Sequence, residues 1–456
     1  MKLTNWKQLF KAMFDIRRSE LPFTLLMFSY FFLVISSFWI LKPIKKSMFI
    51  EFYHQDGFLI NFDTLNLYLS SININLSHWH LSAAQAELIA KELNMLVAIV
   101  AVIIFTWLAR RFRRQYLTFI FTLFFLFCYA AFSSVINQPQ DLTVWNFYLF
   151  GDLFSTLMVA TFFAFLNDSV TPDAAKRLYG LIGLGGVIGG AVGSSIVSQL
   201  IAELTNKQWL WICFVLGLLI LIVAYFAGRI VNKNPPPEPA PSQEPAQIKS
   251  SAAFEGARLV FRSPYLLSIV AIVGLYEIVS TTMDFQFSST IAYYLDGPAI
   301  GQQFADVFAI TNAGALLVQL FLTSFIMSRL GVGIALMVLP VALLGGSVAF
   351  MALPILWVGS SLNMVDNFFS YSINQSAKEA LYVPVSKNEK YQAKAFIDMF
   401  VQRFAKSIAV VISLGITMTL TDFSSLRWLS LITIVITIIW LYAAHYAGRC
   451  FKELSD

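Results

Sequence analysis

Residues 232–247 read NKNPPPEPAPSQEPAQ, and they divide the chain. The stretch holds six of the chain's fifteen prolines and no large apolar side chain. A segment of this composition is extended, polar and unable to pack, so it reads as a linker between two halves. On both sides of it lie apolar runs long enough to cross roughly 30 Å of hydrocarbon. Six precede it, near 22–41, 93–109, 116–136, 142–166, 181–202 and 208–228. Six follow, near 265–292, 304–328, 332–352, 355–376, 395–420 and 427–447. The expected fold is an all-α polytopic membrane protein with twelve transmembrane helices in two six-helix pseudo-repeats. The expected divisions are an N-terminal half at 1–231, a Pro-rich cytoplasmic linker at 232–250 and a C-terminal half at 251–456.

Composition points the same way. Of the 456 residues 58% are hydrophobic and only 12% charged, against about 25% charged in a soluble domain. The net charge of +5 does not indicate nucleic acid, because the basic residues stand singly between apolar runs and form neither a basic face nor a readout motif. The bilayer is the expected partner. Three cysteines, Cys128, Cys213 and Cys450, form no disulfide framework. The basic N-terminus carries no small-residue cleavage site before the first run, so that run is expected to remain as an anchor. Before it, Trp6, Leu9, Phe10, Met13 and Phe14 share one face of a short helix expected to lie on the membrane surface.

Basic residues in the short loops set the orientation. With the N-terminus inside, 23 Lys and Arg fall on the cytoplasmic side and six outside, and Arg403 and Lys406 lie within the eleventh run. Both termini are expected to be cytoplasmic, in a bacterial inner membrane. The outer segment at 47–90 reads as an ordered or interfacial cap. His78 and His80 flank Trp79 there without the further ligands a metal site needs, and Asn75-Leu76-Ser77 fits a glycosylation acceptor that is common by chance.

The halves echo each other. FFAFLNDS (162–169) ends the fourth run and FFSYSINQS (368–376) the tenth, related by one inserted residue, and each precedes a basic loop. Six-plus-six helices with repeated halves are the layout of a rocking transporter with its site at their interface.

Polar residues inside the runs mark candidate machinery, since charge at membrane depth is costly without a partner or a watery cavity. In the tenth run Asn363, Asp366, Asn367, Ser370 and Asn374 are spaced as one helical stripe, and Glu277, Ser280, Thr281, Asp284 and Ser288 repeat this in the seventh. Asp152, Ser155 and Thr156 mark the fourth, and Ser36, Ser37, Lys42, Lys45 and Lys46 the first. Glu277 and Asp284 are either structural partners of Arg403 or Lys406, or groups that bind a cation, relay a proton or gate the path. Lys42, Lys45 and Lys46 are either snorkelling side chains, the reading favoured for Lys46, or a cationic wall for an anionic substrate. The glycines at 185, 189 and 193, and at 186 and 190, repeat every four residues. That spacing indicates close helix packing, because no strand precedes them and the phosphate-loop pattern is absent.

KEALYVPVSKNEKYQAKAFID (378–398) then supplies a family resemblance. It resembles, without gaps, the segment after helix 10 in the nucleotide transporter family, the ATP:ADP antiporters of plastids and intracellular bacteria. Lys378, Glu379, Tyr382, Pro384, Lys390, Lys394, Ala395, Ile397 and Asp398 match. AAKRLYGLIGLG (174–185) is similar to the family's segment after helix 4, with Asn167 at the family's Asn. LKPIKKS (41–47) places Lys42 and Lys45 at the family's basic positions. Pro43 and Lys46 stand where that pattern is acidic, Gly180 replaces a proline, and Phe150, Gly151 and Asp152 stand where the family has a glutamate.

The resemblance implies the major facilitator architecture and a secondary transporter of an anionic solute, most readily a nucleotide. Lys42, Lys45, Arg403 and Lys406 would meet phosphates, and Asp152, Glu277, Asp284 and Asp366, with Asn363, would hold those cations or couple protons. Lys176, Arg177, Lys378, Glu379, Lys390, Lys394 and Asp398 would form the cytoplasmic gate. The alternative keeps the fold and changes the cargo to another organic anion, metabolite or metal chelate, with or without a coupled proton. A membrane enzyme is disfavoured, since no nucleophile with a base, metal cluster or paired acids stand out. A scaffold would not need the polar stripes. No cofactor or resident metal is expected, and the oligomeric state is taken as monomeric.

Overall fold

The computed structural model describes residues 17–61, 78–233, 257–385, 393–394 and 396–455. The surface helix expected before Arg17, the acceptor at Asn75, most of the linker and Lys390 lie outside the described residues. So do the side chains of Lys176 and Asp398.

The described chain is overwhelmingly helical. In the first half the helices are α1 Leu21–Phe52, α2 Ala83–Arg111, α3 Arg114–Val135, α4 Asp141–Ser169, α5 Pro172–Leu200 and α6 Asn206–Lys233. After the linker come α7 Pro264–Tyr294, α8 Pro298–Leu317, α9 Gly331–Ala352, α10 Leu356–Phe369, α11 Gln402–Thr419 and α12 Leu426–Ser455. By length and apolarity nine stretches among the described residues qualify as membrane crossings, against the twelve expected. One of the nine, Pro298–Ala352, takes in both α8 and α9, and neither α10 nor α11 is among them.

Local chemistry explains where several helices start. Ser82 and Gln85 form a reciprocal capping box at α2, the Ser82 backbone N–H donating to Gln85 Oε1 at 2.8 Å. Thr205 and Gln208 do the same for α6. Thr171 before Pro172 and Ser263 before Pro264 pair an N-cap hydroxyl with a proline in the first turn, opening α5 and α7. These signals set α2 ten residues ahead of the apolar run at 93. At the other side of the outer segment α1 continues to Phe52, past the run's end at 41. The lysines at 42, 45 and 46 are therefore helical, and Pro43 is carried inside α1. Two short antiparallel strands, β1 Phe58–Ile60 and β2 Trp79–Leu81, pair Phe58 with Leu81 and Ile60 with Trp79. This hairpin departs from the all-α expectation.

Two compact units are present. The first takes the chain up to Ser47, from Leu93 through α6, and Phe304–Asn312 of α8; the second takes Met48–Glu92, α7 to Gln303, and Ala313 onward. In the first unit α3 packs on α6, and in the second α9 packs on α12, the same pairing six helices later. That correspondence is the pseudo-repeat seen at the level of packing.

The glycines at 185, 189 and 193 work as their spacing predicts. A Cβ on them would come within 2.5–2.7 Å of the carbonyl oxygens of Phe28, Phe32 and Ser36, so α5 lies directly against the α1 backbone. Ser36 Oγ then donates to Gly189 O at 3.0 Å.

The residue by which FFSYSINQS exceeds FFAFLNDS has a structural form. Ser370–Asn374 is a π-helical turn continuing α10 toward Gln375–Ala380, whereas α4 is a regular α-helix through Ser169. An i→i+5 turn absorbs one extra residue and advances the following face by about 100°. The polar stripe of α10 therefore keeps a regular α-helical register only through Asn367, and the buried Ser370 and Asn374 fall in the π turn. Another π turn, Ile397–Val401, leads into α11 just before Arg403.

Candidate functional site

Each unit holds one cluster of charge. In the first, Lys42, Lys45 and Lys46 lie at i, i+3 and i+4, on one face of α1. Lys45 and Lys46 are only 4% and 3% exposed. Lys45 forms an ion pair with Asp152 of α4, and Asn94 Nδ2 of α2 donates to the same carboxylate. The Lys45 ammonium also stands 4.3 Å from the Tyr148 ring centroid, one turn before Asp152. Gly151 makes this crossing possible, because a Cβ there would lie 2.7 Å from Lys45 Cδ. The sequence feature that departs from the family pattern is thus a groove for the lysine stem.

Lys42 sits 4.4 Å from the Trp39 ring and 4.7 Å from that of Phe308, and Lys46 sits 5.2 Å from Phe304. A desolvated ammonium gains about 2 kcal/mol from such a ring face. Snorkelling does not describe Lys46, whose side chain is enclosed with an aromatic neighbour. Further along α8, Asp306 accepts from Ser198 at 2.5 Å, and Asn312 donates to Ser194 at 3.3 Å.

The second cluster centres on Lys91, which the apolar-run reading leaves in the outer loop. It is instead in α2, partly buried, paired with Glu87 one turn back at 3.2 Å and with Asp284 of α7. Glu87 is fully buried. Asn363 Nδ2 of α10 donates to Asp284 at 3.2 Å, and Asn367 Nδ2 donates to Asn363 O at 2.8 Å. Two further rungs run along α7. Ser280 Oγ donates to the buried Asp366 at 2.6 Å, and Glu277 meets Lys406 of α11 at 3.6 Å. Of the two basic partners considered for the acids, Lys406 takes Glu277, and Asp284 goes to Lys91. Arg403 lies part-buried on α11; one turn on, Ser407 Oγ donates to Glu92 at 2.8 Å.

The loop residues also find partners inside their own units. Arg177 pairs with Glu20, just before α1, at 2.6 Å, and Tyr179 donates to Asn167. Lys394 pairs with Glu379 at 2.7 Å. Lys378 lies 5.2 Å from the Tyr276 ring, and Tyr265 OH donates to Leu381 O at 2.6 Å, tying the loop after α10 to the start of α7. Among the described residues no group of three or more His, Cys, Asp or Glu could hold a metal ion.

Lys91, Glu87, Asn94 and Glu20 carry these networks without having stood out in the sequence. For the first two the signal was present, an acid and a lysine four residues apart behind a capping box.

What such clusters can do chemically is bind anions competitively. Each holds an enclosed or part-buried cation whose partner is a carboxylate, and a phosphate can compete with that carboxylate.

Residues 140–451 match the family described as TLC ATP/ADP transporter. The chain is 22% identical over 352 residues to ADP,ATP carrier protein 1, chloroplastic, of Arabidopsis thaliana, a match covering 69% of this chain and 56% of that protein. It is 22% identical to ADP,ATP carrier protein 1 of Chlamydia muridarum, covering 72% and 68%, and 20% identical to that of Rickettsia conorii, covering 79% and 84%. The chain thus spans little more than half the length of the chloroplast relative. Among solved structures it resembles the nucleoside transporter NupG, with TM-score 0.57, 14% identity and 94% and 99% coverage. It also resembles a POT family transporter in complex with a thioalcohol conjugated peptide, with TM-score 0.59, 13% identity and 94% and 98% coverage. These likenesses establish a major-facilitator-type fold.

Proposed function

Because this chain belongs to the TLC ATP/ADP transporter family, we propose that it is a multi-pass carrier exchanging adenine nucleotides across a membrane by alternating access. The observation that carries the reading is the lysine face of α1. Lys45 and Lys46 are almost fully enclosed in a helix of a membrane protein, and Lys45 is paired there with the part-exposed Asp152 of α4. Charge at that depth is expensive and is kept where a substrate uses it.

Polyphosphate would compete with Asp152 for Lys45, while Lys42 and Lys46, resting on aromatic faces, supply further positive potential. Lysine acts here as a point charge, suited to a phosphate chain whose oxygens can present several geometries. Lys91 with Asp284 offers the second unit's version of the same exchange of partners. Lys406, with its side chain 52% exposed opposite Glu277, is the more accessible cation, and Arg403 adds a fork able to grip phosphate bidentately. The pairs Arg177–Glu20 and Lys394–Glu379 would act as gate contacts that re-form in each cycle. The excess of basic residues in the loops with the N-terminus supports both termini on the cytoplasmic side of a bacterial inner membrane, with the carrier acting as a monomer.

The test is uptake of labelled ATP, ADP, other nucleotides and NAD into liposomes containing purified, monodisperse protein. Saturable uptake of an adenine nucleotide, lost in Lys45→Ala, is the expected result. Failure of every nucleotide with folded protein would overturn the substrate, and uptake driven by a proton gradient without a counter-nucleotide would replace exchange by symport.

A further inference from the structure

Away from both charge clusters, α9 and α12 approach more closely than side chains usually allow. A Cβ on Gly448 would lie 2.7 Å from Gly333 Cα. Beside this contact the helices frame a cleft of about 480 Å³. Its lining includes Leu330, Ile334, Met337 and Phe451, together with the exposed His445, Arg449 and Lys452. The three basic positions recur at i, i+4 and i+7, one face of α12. Among the described residues lining the cleft, none is acidic.

The cleft is also the end of an apolar track. Ile334, Val341 and Val348 follow each other seven residues apart along α9, exposed by 48%, 55% and 52%. Ile438, Ile439 and Tyr442 continue a similar strip on α12, with Tyr442 76% exposed. In a membrane protein such strips face acyl chains. A cleft lined by exposed cations at the head of an acyl-chain track has the shape and charge of one kind of occupant, and the transport reading uses none of these residues.

We propose that the α9–α12 cleft binds an anionic phospholipid, its phosphate held by Arg449 and Lys452 and its first methylenes against Leu330, Ile334 and Met337. Basic pockets between membrane helices near the cytoplasmic face select such headgroups, and each cation adds about fivefold in affinity near a charged surface. Two cations acting together should favour an anionic over a zwitterionic headgroup by about thirtyfold.

Native mass spectrometry of the full chain, titrated with phosphatidylglycerol, cardiolipin or phosphatidylcholine in detergent, tests this. One tightly retained anionic lipid is expected on the wild type, with phosphatidylcholine about thirtyfold weaker. Arg449→Ala with Lys452→Ala should abolish the preference, Arg449→Lys should largely keep it, and millimolar inorganic phosphate should not displace the lipid. Thermal unfolding confirms that each variant is folded. Equal retention of all three lipids, displacement by free phosphate, or an equal loss in the control pair Arg110→Ala with Arg111→Ala would overturn the site.

Discussion

Lys45 concentrates the residue-scale question, because one side chain carries an ion pair, a ring contact and the packing of Gly151. Replacing it by Gln should reduce nucleotide exchange in liposomes by about 100-fold while leaving the melting temperature within a few degrees, since the neutral stem still covers Gly151, removes the cation and leaves Asp152, 36% exposed, able to reach water. Asp152→Asn is expected to behave differently. It removes the carboxylate paired with a cation that is 4% exposed, so stability should fall by about 2 kcal/mol, less than for a wholly buried pair because the acid is partly hydrated. Lys45→Gln with Asp152→Asn should then regain stability without regaining transport, as read by thermal unfolding beside exchange. In the second unit, Lys91→Ala should destabilise through the fully buried Glu87, and Glu87→Gln in the same chain should relieve that loss. Much of this was legible in the sequence as types and depths: Lys45, Asp152, Asp284 and Asp366 were all singled out. Their partners were not, because pairing across helices depends on which faces meet, and composition along a run is silent about that.

Elements explain where the reading of the sequence stopped. Glycine spacing in α5 pointed to close packing and did so correctly, since it depends only on local periodicity. Gly189→Ala should accordingly cost about 1–3 kcal/mol through its clash with Phe32 O, while Gly183→Ala, which meets nothing within 4 Å, should be neutral or slightly stabilising; melting curves of the two variants make the comparison. The α10 stripe was legible only up to Asn367, because a strict 3.6-residue period cannot anticipate a π turn. Its trace was nonetheless present, as the one-residue excess of FFSYSINQS over FFAFLNDS. Deleting Ser372 should convert the turn to α-helix and rotate Lys378 and Glu379 by about 100°, breaking the Lys394–Glu379 pair. Exchange should be lost in that variant although it inserts and folds, a result readable by size-exclusion profile together with transport. Helix ends beyond the apolar runs were the other blind spot. α2 begins among polar residues because the Ser82–Gln85 capping box and the Glu87–Lys91 pair support it, and α1 runs on past 41 with Lys45 paired to Asp152; hydropathy registers none of these.

At the scale of the whole molecule, the repeat and the family are mutually reinforcing. α3–α6 and α9–α12 packing recur six helices apart, the fold is that of major facilitator transporters, and the match to the TLC family covers residues 140–451. Fold was the most legible level, because a hydrophobic period, a proline-rich break and loop charge are all properties of sequence alone. Substrate was the least legible, since a phosphate and any other anion ask for the same lysines. Counterflow separates them most directly: proteoliposomes loaded with unlabelled ATP or left empty are offered labelled ADP, with no ion gradient. The account predicts rapid ADP entry only into ATP-loaded vesicles, and none in either case for Lys45→Ala. Equal entry into loaded and empty vesicles, or undiminished entry with Lys45→Ala, would contradict it.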